Sequence, residues 1–160
     1  MPLRIQDEDQ LTHEGATIAA DEHGNVAIVW LDPRISSHAG PEAHAGHGHG
    51  HTSSLPLVLA RSRDNGVTFS ANHVVESSYP GDACVCCAPD AAWRNERLLI
   101  AFRGAHENIR DIHLLELVTS PSSFRDVSVA DQEWELAGCP ADGPRLTVSE
   151  TGLNVAWMSE

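Results

Sequence analysis

Short runs of apolar and β-branched residues, separated by turn residues, dominate the chain and indicate strands. Three segments share one design: ATIAADEHGNVAIVW turns at residues 23–25, DAAWRNERLLIAF at 94–96 and RLTVSETGLNVAW at 150–152. Each has two extended runs around residues that favour turns, as the two strands of a hairpin should. Helical patterns are scarce, so the sequence predicts an all-β protein.

The three hairpins form an internal repeat that aligns on Trp30, Phe102 and Trp157. The intervals are 72 positions (30 to 102) and 55 positions (102 to 157), and the longer one contains a low-complexity insert at residues 36–54. Removing that insert would make the two intervals nearly equal. A period of about 40–55 residues with four short strands per unit is typical of a β-propeller blade. We expect the aligned aromatic residues to pack in the core.

The predicted architecture is therefore a set of four-stranded antiparallel propeller blades. Residues 1–160 would form a single propeller portion of about two and three-quarter blades, with 36–54 as a His- and Gly-rich flexible insert in the first complete blade. Known propellers close with at least about four blades. We therefore expect either a part of a longer propeller or the association of two copies into one ring.

Charge narrows the range of partners. The chain has 10 Lys and Arg against 23 Asp and Glu, a formal net charge of −13. Such a chain repels phosphates, so nucleic acid and anionic membranes are disfavoured. No apolar run reaches the roughly 18–20 residues needed to cross a bilayer, and MPLRIQDEDQ carries no apolar signal-type segment. No transmembrane segment is predicted, and the chain is expected to be cytosolic or a mature or excised part of a longer protein.

The stretch SRDNGVTF predicts a self-braced hairpin turn, because Asp and Asn bond nearby backbone amides and Gly supplies positive φ. It resembles the Asp-box of BNR repeats in sialidase-like propellers at each defining position: Ser62, Asp64, Gly66, Thr68 and Phe69. In the second repeat, TSPSSF occupies the corresponding place with Thr119 instead of Asp. The resemblance implies a propeller in which this turn is structural and lies on the outer rim, away from the ligand face.

The same resemblance makes sialidase activity a hypothesis, with catalytic residues unknown. Sialidases place an arginine just before an innermost strand to hold a sugar carboxylate, and the positions here are Glu14, Cys87 and Asp142. None of them is basic, and a Tyr/Glu nucleophile pair beside an Asp acid is not identifiable. Arg103, Arg110 and Asp111 could bind a carboxylate or could brace loops between blades. We do not expect an enzyme, and an exo-sialidase-type glycoside hydrolase is the alternative.

The cysteines carry the other candidate chemistry, in GDACVCCAP and AGCPADGP. Counted back from the aligned Ala88 and Gly143, Cys84 and Cys139 fall at the same place in neighbouring repeats. The segments resemble the CxCC…GCPxDGP pattern of exported bacterial sialidase-like proteins, which implies a periplasmic or extracellular location.

Three interpretations of these cysteines stay open. A Cys84–Cys139 disulfide could link two blades, with Cys86 and Cys87 paired or free, and vicinal thiols could serve a redox role. Thiolates with nearby His or carboxylate groups could instead bind copper or zinc, although C-x-C-C differs from the zinc-ribbon spacing. The candidate ligands are Cys84, Cys86, Cys87, Cys139, His13, Glu14 and Asp142.

The insert adds a second candidate metal site. It alternates imidazole with Gly or Ala and contains His38, His44, His47, His49 and His51. A flexible backbone can wrap several imidazoles around Cu(II), Ni(II) or Zn(II), as a loading site. The alternative is a solvated linker without a role in metal binding.

From the sequence, the first hypothesis is a sialidase-like propeller that binds a soft metal, copper or zinc, at its channel mouth. The alternatives are the exo-sialidase and a structural or protein-binding propeller whose blades are joined by disulfides.

Overall fold

A computed structural model describes residue 5 and residues 14–35, 54–119, 123–130 and 132–159. The described residues form antiparallel sheets and contain no helix, which confirms the all-β prediction. Accordingly, within these ranges there is no helix long and apolar enough to cross a membrane.

Twelve strands occur in the described part of the chain. They are β1 (Glu14–Ala20), β2 (Val26–Leu31), β3 (Ser54–Leu55), β4 (Leu57–Ser62), β5 (His73–Val74), β6 (Asp82–Cys84), β7 (Asp90–Arg94), β8 (Arg97–Ala105), β9 (Ile112–Thr119), β10 (Ser123–Ser128), β11 (Arg145–Val148) and β12 (Leu153–Ala156).

The predicted hairpins are all present, as β1–β2, β7–β8 and β11–β12. The first belongs to a four-stranded sheet with the order β1-β2-β4-β5, and the second continues through β9 to β10. β9 ends at Thr119 and β10 begins at Ser123, and the two strands pair even without the Asp of the first repeat.

Two short strands were not predicted, and they position the cysteines. β8 extends beyond its pairing with β7, so that Gly104 and Ala105 pair with β6, and β6 in turn pairs with β3. Strands of two or three residues carry too few side chains to show an apolar pattern. Their pairing is therefore visible only in the folded chain.

The first strands of the three hairpins are joined at one carboxylate. Asp90, at the start of β7, accepts a hydrogen bond from Thr17 Oγ1 of β1 at 3.3 Å and from the Leu146 amide of β11 at 2.8 Å. In addition, the Trp93 Nε1–H donates to the Ala19 carbonyl oxygen at 3.3 Å. These contacts hold the starts of the hairpins side by side.

The largest core cluster lies where β2, β4, β8 and β9 pack together. Its bulkiest members include Leu31, Leu59, Leu98, Ile100, Phe102 and Leu115. Trp30 is 4% exposed and Phe102 is 2% exposed, which confirms that both are core residues. Trp157 is only partly buried, because it follows the end of β12 and lies outside the sheet.

The SRDNGVTF turn is braced by its own side chains as predicted. Asp64 accepts hydrogen bonds from the hydroxyls of Ser62 and Thr68, both at 2.6 Å, and from the Thr68 amide at 2.9 Å. Ser62 Oγ accepts from the amides of Asp64 and Gly66 at 3.2 and 2.9 Å. Asn65 and Gly66 have φ values of 57° and 80°, which is the left-handed region that Gly and Asn tolerate.

The arrangement of the sheets as propeller blades, and closure by further blades or a second copy, remain predictions. Residues 36–53 of the predicted insert lie outside the described residues, whereas Ser54 begins β3.

Replacing Asp64 with Asn should destabilise the protein at neutral pH. Hydrogen bonds from Ser62 and Thr68 lower the pKa of Asp64 to about 2, from an ordinary value of 3.8. The carboxylate therefore contributes stability above its ordinary pKa, and this contribution is lost as the pH falls through about 2. Urea midpoints should show a lower stability for Asp64→Asn at neutral pH and a smaller difference near pH 2.

Val67→Ala is the matched control, because Val67 lies in the same turn with 69% of its surface exposed. A gap between wild type and Asp64→Asn that stays equally large at both pH values would contradict the ionic origin of this effect.

Candidate functional site: a cluster of cysteines

Three segments that the repeat alignment makes equivalent meet at one point. A Cβ atom added to Gly143 would lie 2.0 Å from the Ala88 carbonyl oxygen, and one added to Gly15 would lie 3.2 Å from the Ala88 Cα. Real Cβ atoms do not approach other heavy atoms below about 3.0 Å. Gly143 is therefore required for the segments 84–88 and 139–143 to lie in contact.

The cysteines follow from this contact and from the end of β6. Cys84 is the last residue of β6 and pairs with Ser54 of β3. The chain then turns, and the Cys87 amide donates a hydrogen bond to the Cys84 carbonyl oxygen at 3.0 Å. This turn brings the side chains of Cys84, Cys86 and Cys87 to the same side.

The three sulfur atoms form a compact triangle. The Sγ of Cys84 lies 3.4 Å from the Sγ of both Cys86 and Cys87, and the Cys86 and Cys87 sulfur atoms are 4.0 Å apart. Cys84 is 3% exposed, Cys87 is fully buried and Cys86 is half-buried. Within the described ranges, these three residues form the group of His, Cys, Asp and Glu side chains that is close enough to hold one metal ion.

A disulfide joins the two segments, but the predicted partner was wrong. Cys139 is linked to Cys86, with a Cα–Cα distance of 6.4 Å, and Cys84 and Cys87 are free thiols. The alignment favoured Cys84 because it occupies the equivalent position. However, Cys84 is buried at the end of β6, whereas Cys86 lies in the turn and can reach the exposed Cys139.

The two free thiols have different proton affinities. The Cys87 thiol donates a hydrogen bond to the Cys84 sulfur, and this bond lowers the pKa of Cys84 to about 6 against the opposing effect of burial. The Cys86 amide and the guanidinium groups of Arg110 and Arg103 contribute to the same lowered pKa. The same bond to Cys84, together with burial, raises the pKa of Cys87. Cys84 is thus the thiolate of the pair and Cys87 the thiol that stabilises it.

Arg103 connects β8 to the second cysteine segment. Its guanidinium donates to the carbonyl oxygens of Asp142 at 3.0 Å, Arg110 at 2.7 Å and Met158 at 2.7 Å, and it lies 4.9 Å from the centroid of the Trp134 ring.

Arg110 and Asp111 also contact backbone groups. Arg110 donates to the carbonyl oxygens of Glu107 and Ile109, and Asp111 accepts from the amides of Glu133 and Trp134. Contacts of this kind stabilise loops, which is one of the two roles predicted for Arg103, Arg110 and Asp111. Binding of a ligand by them remains a prediction.

The positive charges beside the cysteines are unusual for so acidic a chain. Arg103 and Arg110 are each 1% exposed, and neither forms an ion pair with a carboxylate of the described residues. A buried cation without an opposite charge is costly even when it is hydrogen-bonded. The two guanidinium groups therefore favour negative charge on the Cys84 sulfur.

The other predicted metal ligands either are not part of the sulfur triangle or lie outside the described residues. Asp142 contacts the site through its backbone, since its carbonyl oxygen accepts from Arg103 and its amide favours the thiolate of Cys87. Its carboxylate is not part of the three-residue group. His13, the side chain of Glu14 and the five histidines of the insert lie outside the described residues.

Sequence reasoning missed three features of this site. Cys84 and Cys87 have the C-x₂-C spacing, which CVCC contains in addition to the C-x-C-C spacing. The proximity of two arginines requires the tertiary fold. The need for Gly143 has a sequence signal only in its alignment with Ala88 and Gly15.

Comparison of the chain with family models, curated proteins and solved structures gave no match. The resemblance to sialidase-like propellers therefore remains a prediction.

Replacing Gly143 with Ala should separate the two cysteine segments. The new Cβ would meet the backbone of Ala88, so one segment must move, with an expected loss of about 1–3 kcal/mol in the free energy of unfolding. Urea denaturation measures this loss, and mass spectrometry measures the fraction of chains with the Cys86–Cys139 disulfide, which should fall.

Gly138→Ala provides the control, because it lies in the same loop and an added Cβ there meets no atom within 4 Å. Equal stability of the two variants would contradict the close approach.

Proposed function

We propose that the reduced protein binds one soft metal ion through Cys84, Cys86 and Cys87. The observation that supports this proposal is the triangle of sulfur atoms beside two buried guanidinium groups that lack carboxylate partners among the described residues. The Cys86–Cys139 disulfide must first be reduced, because metals bind the thiolate form of cysteine.

The spacing of the sulfur atoms suits such an ion. Zn–S bonds of about 2.3 Å in a tetrahedral site imply sulfur atoms about 3.8 Å apart. The three distances here are 3.4, 3.4 and 4.0 Å, so small side-chain adjustments would allow all three sulfur atoms to bind one ion.

The local charge supports a monovalent or divalent thiophilic cation. Three thiolates with Cu(I) carry two negative charges, and Arg103 and Arg110 together carry two positive charges. The guanidinium groups would reduce the cost of burying that anionic complex. A hard cation such as Mg²⁺ is disfavoured, because it requires oxygen ligands.

Copper and zinc differ in whether they would need Cys139 as a ligand. Soft thiolates select both Cu(I) and Zn(II). Three thiolates suffice for Cu(I), whereas Zn(II) prefers four ligands, and reduced Cys139 could supply the fourth. In this proposal the His-rich segment 36–54 acts as a loading site for the same metal.

The disulfide and the expected fold bear on the location of the protein and on the setting of the site. Disulfides persist mainly in oxidising compartments, so the Cys86–Cys139 link supports a periplasmic or extracellular location. The channel mouth of a sialidase-like propeller is the expected setting of the site.

Titration of the reduced, metal-free protein tests metal binding. With a competing Cu(I) chelator present and no oxygen, wild type should bind one Cu(I) per chain. Cys84→Ser and Cys87→Ser should each lower the affinity by more than about 100-fold, exceeding the usual effect of losing an outer-shell partner.

Cys139→Ser is the matched control, because it removes a cysteine outside the triangle and should leave Cu(I) binding intact. Replacing His44, His47, His49 and His51 with Ala should also leave chelator-resistant binding unchanged. Equal affinities for wild type, Cys84→Ser and Cys87→Ser would disprove the proposed site.

A further inference from the structure

The four cysteines form one uninterrupted chain of sulfur contacts. Cys139 is bonded to Cys86, the Cys86 sulfur lies 3.4 Å from that of Cys84, and the Cys84 sulfur lies 3.4 Å from that of Cys87. A free thiol in contact with a disulfide sulfur has the proximity that exchange requires, since exchange proceeds by attack of one sulfur on another.

We propose that this cluster carries out an internal thiol–disulfide exchange between the buried Cys84/Cys87 pair and the Cys86–Cys139 disulfide. This activity goes beyond metal binding. It uses the same cysteines but requires no metal.

The exchange takes two steps. In the first, the Cys84 thiolate attacks the Cys86 sulfur, a Cys84–Cys86 disulfide forms, the Cys86–Cys139 bond breaks, and Cys139 leaves as a thiolate that takes up a proton. In the second, the Cys87 thiol gives up its proton and its sulfur attacks Cys84, a Cys84–Cys87 disulfide forms, the Cys84–Cys86 bond breaks, and Cys86 leaves as a thiolate that takes up a proton. Cys84 and Cys87 together lose two electrons and two protons, and Cys86 and Cys139 gain them.

The geometry of the turn at residues 84–87 allows the Cys84–Cys87 disulfide to form. Cys84 and Cys87 lie at the first and last positions of a hydrogen-bonded turn, whose Cα atoms are less than about 7 Å apart in general. Disulfides span Cα distances up to about 6.8 Å. The second disulfide can therefore form without separating β6 from β8.

The solvent exposure of the four cysteines decreases from Cys139 through Cys86 to the Cys84/Cys87 pair. Cys139 is exposed, Cys86 is half-buried, and Cys84 and Cys87 are buried. An external thiol or disulfide can thus react at Cys139, and internal exchange then passes the two electrons to or from the buried pair. The chemical class of partner is a small thiol or a protein with a surface dithiol.

Irreversible trapping of Cys139 tests the exchange. The oxidised, metal-free protein is incubated with a bulky maleimide in the absence of added thiol, and the labelled cysteines and remaining disulfide are mapped by mass spectrometry. Exchange exposes a Cys139 thiol, so we expect label on Cys139 together with a disulfide inside residues 84–87. Because trapping is irreversible, this product accumulates even if the Cys86–Cys139 form predominates.

Two variants separate exchange from unfolding. Cys84→Ser removes the attacking sulfur and should slow the labelling of Cys139 by about tenfold or more, in line with the dependence of exchange on access to the disulfide sulfur. Cys87→Ser removes an equally buried neighbour but leaves the attacking sulfur, and should still be labelled. Cys84→Ala replaces the serine variant if tryptophan fluorescence shows that the latter is unfolded.

The outcomes are distinct from those of the metal titration. Cys139 that stays unlabelled in wild type, or is labelled equally fast in wild type and both variants, would overturn the exchange. Either result leaves the Cu(I) affinity of the reduced protein unaffected, and a failure to bind copper leaves the labelling pattern unaffected.

Discussion

The contact of Gly143 with the Ala88 carbonyl is the constraint on which the cysteine cluster depends. Any other residue type at 143 would force one of the two segments to move, because an added Cβ would lie 2.0 Å from that oxygen. The contact places the turn at residues 84–87 next to the loop that carries Cys139, and it places the Asp142 carbonyl where Arg103 can donate to it. A single absent side chain thus determines the position of the disulfide, the buried arginine and the thiol triangle.

The site also has an electrostatic character opposite to that of the chain. The protein carries a formal net charge of −13, yet the buried guanidinium groups of Arg103 and Arg110 act electrostatically on the Cys84 thiol. Backbone carbonyl oxygens accept hydrogen bonds from both guanidinium groups, which fixes their positions without cancelling their charge, and the Nε of Arg110 has no hydrogen-bond partner among the described residues. The sulfur atoms of Cys84 and Cys87 therefore belong to an acidic chain and yet are subject to the positive charge of buried guanidinium groups.

Much of the fold could be predicted from sequence because its signals are local. The hairpin turns and the hydrogen bonds among Ser62, Asp64 and Thr68 depend on residues within a few positions of one another. The disulfide partner could not be predicted, because Cys84 and Cys86 differ only in whether the strand has ended, and β6 is too short to show a pattern. The proximity of Arg103 to the thiols likewise depends on the pairing of β6 with β8, which joins segments about twenty residues apart.

The pairing of Cys86 with Cys139 joins residues 53 positions apart and closes a covalent ring that contains the whole of β7, β8, β9 and β10. Closing a loop of this length lowers the entropy of the unfolded chain by an amount worth about 4 kcal/mol. A disulfide within residues 84–87 would close a ring of only a few residues. The strands β7 to β10 would then lie outside any covalent ring. The choice between the two pairings therefore sets the covalent topology of the molecule. A protease cut between β9 and β10 would leave the two pieces covalently linked in one form and separable in the other.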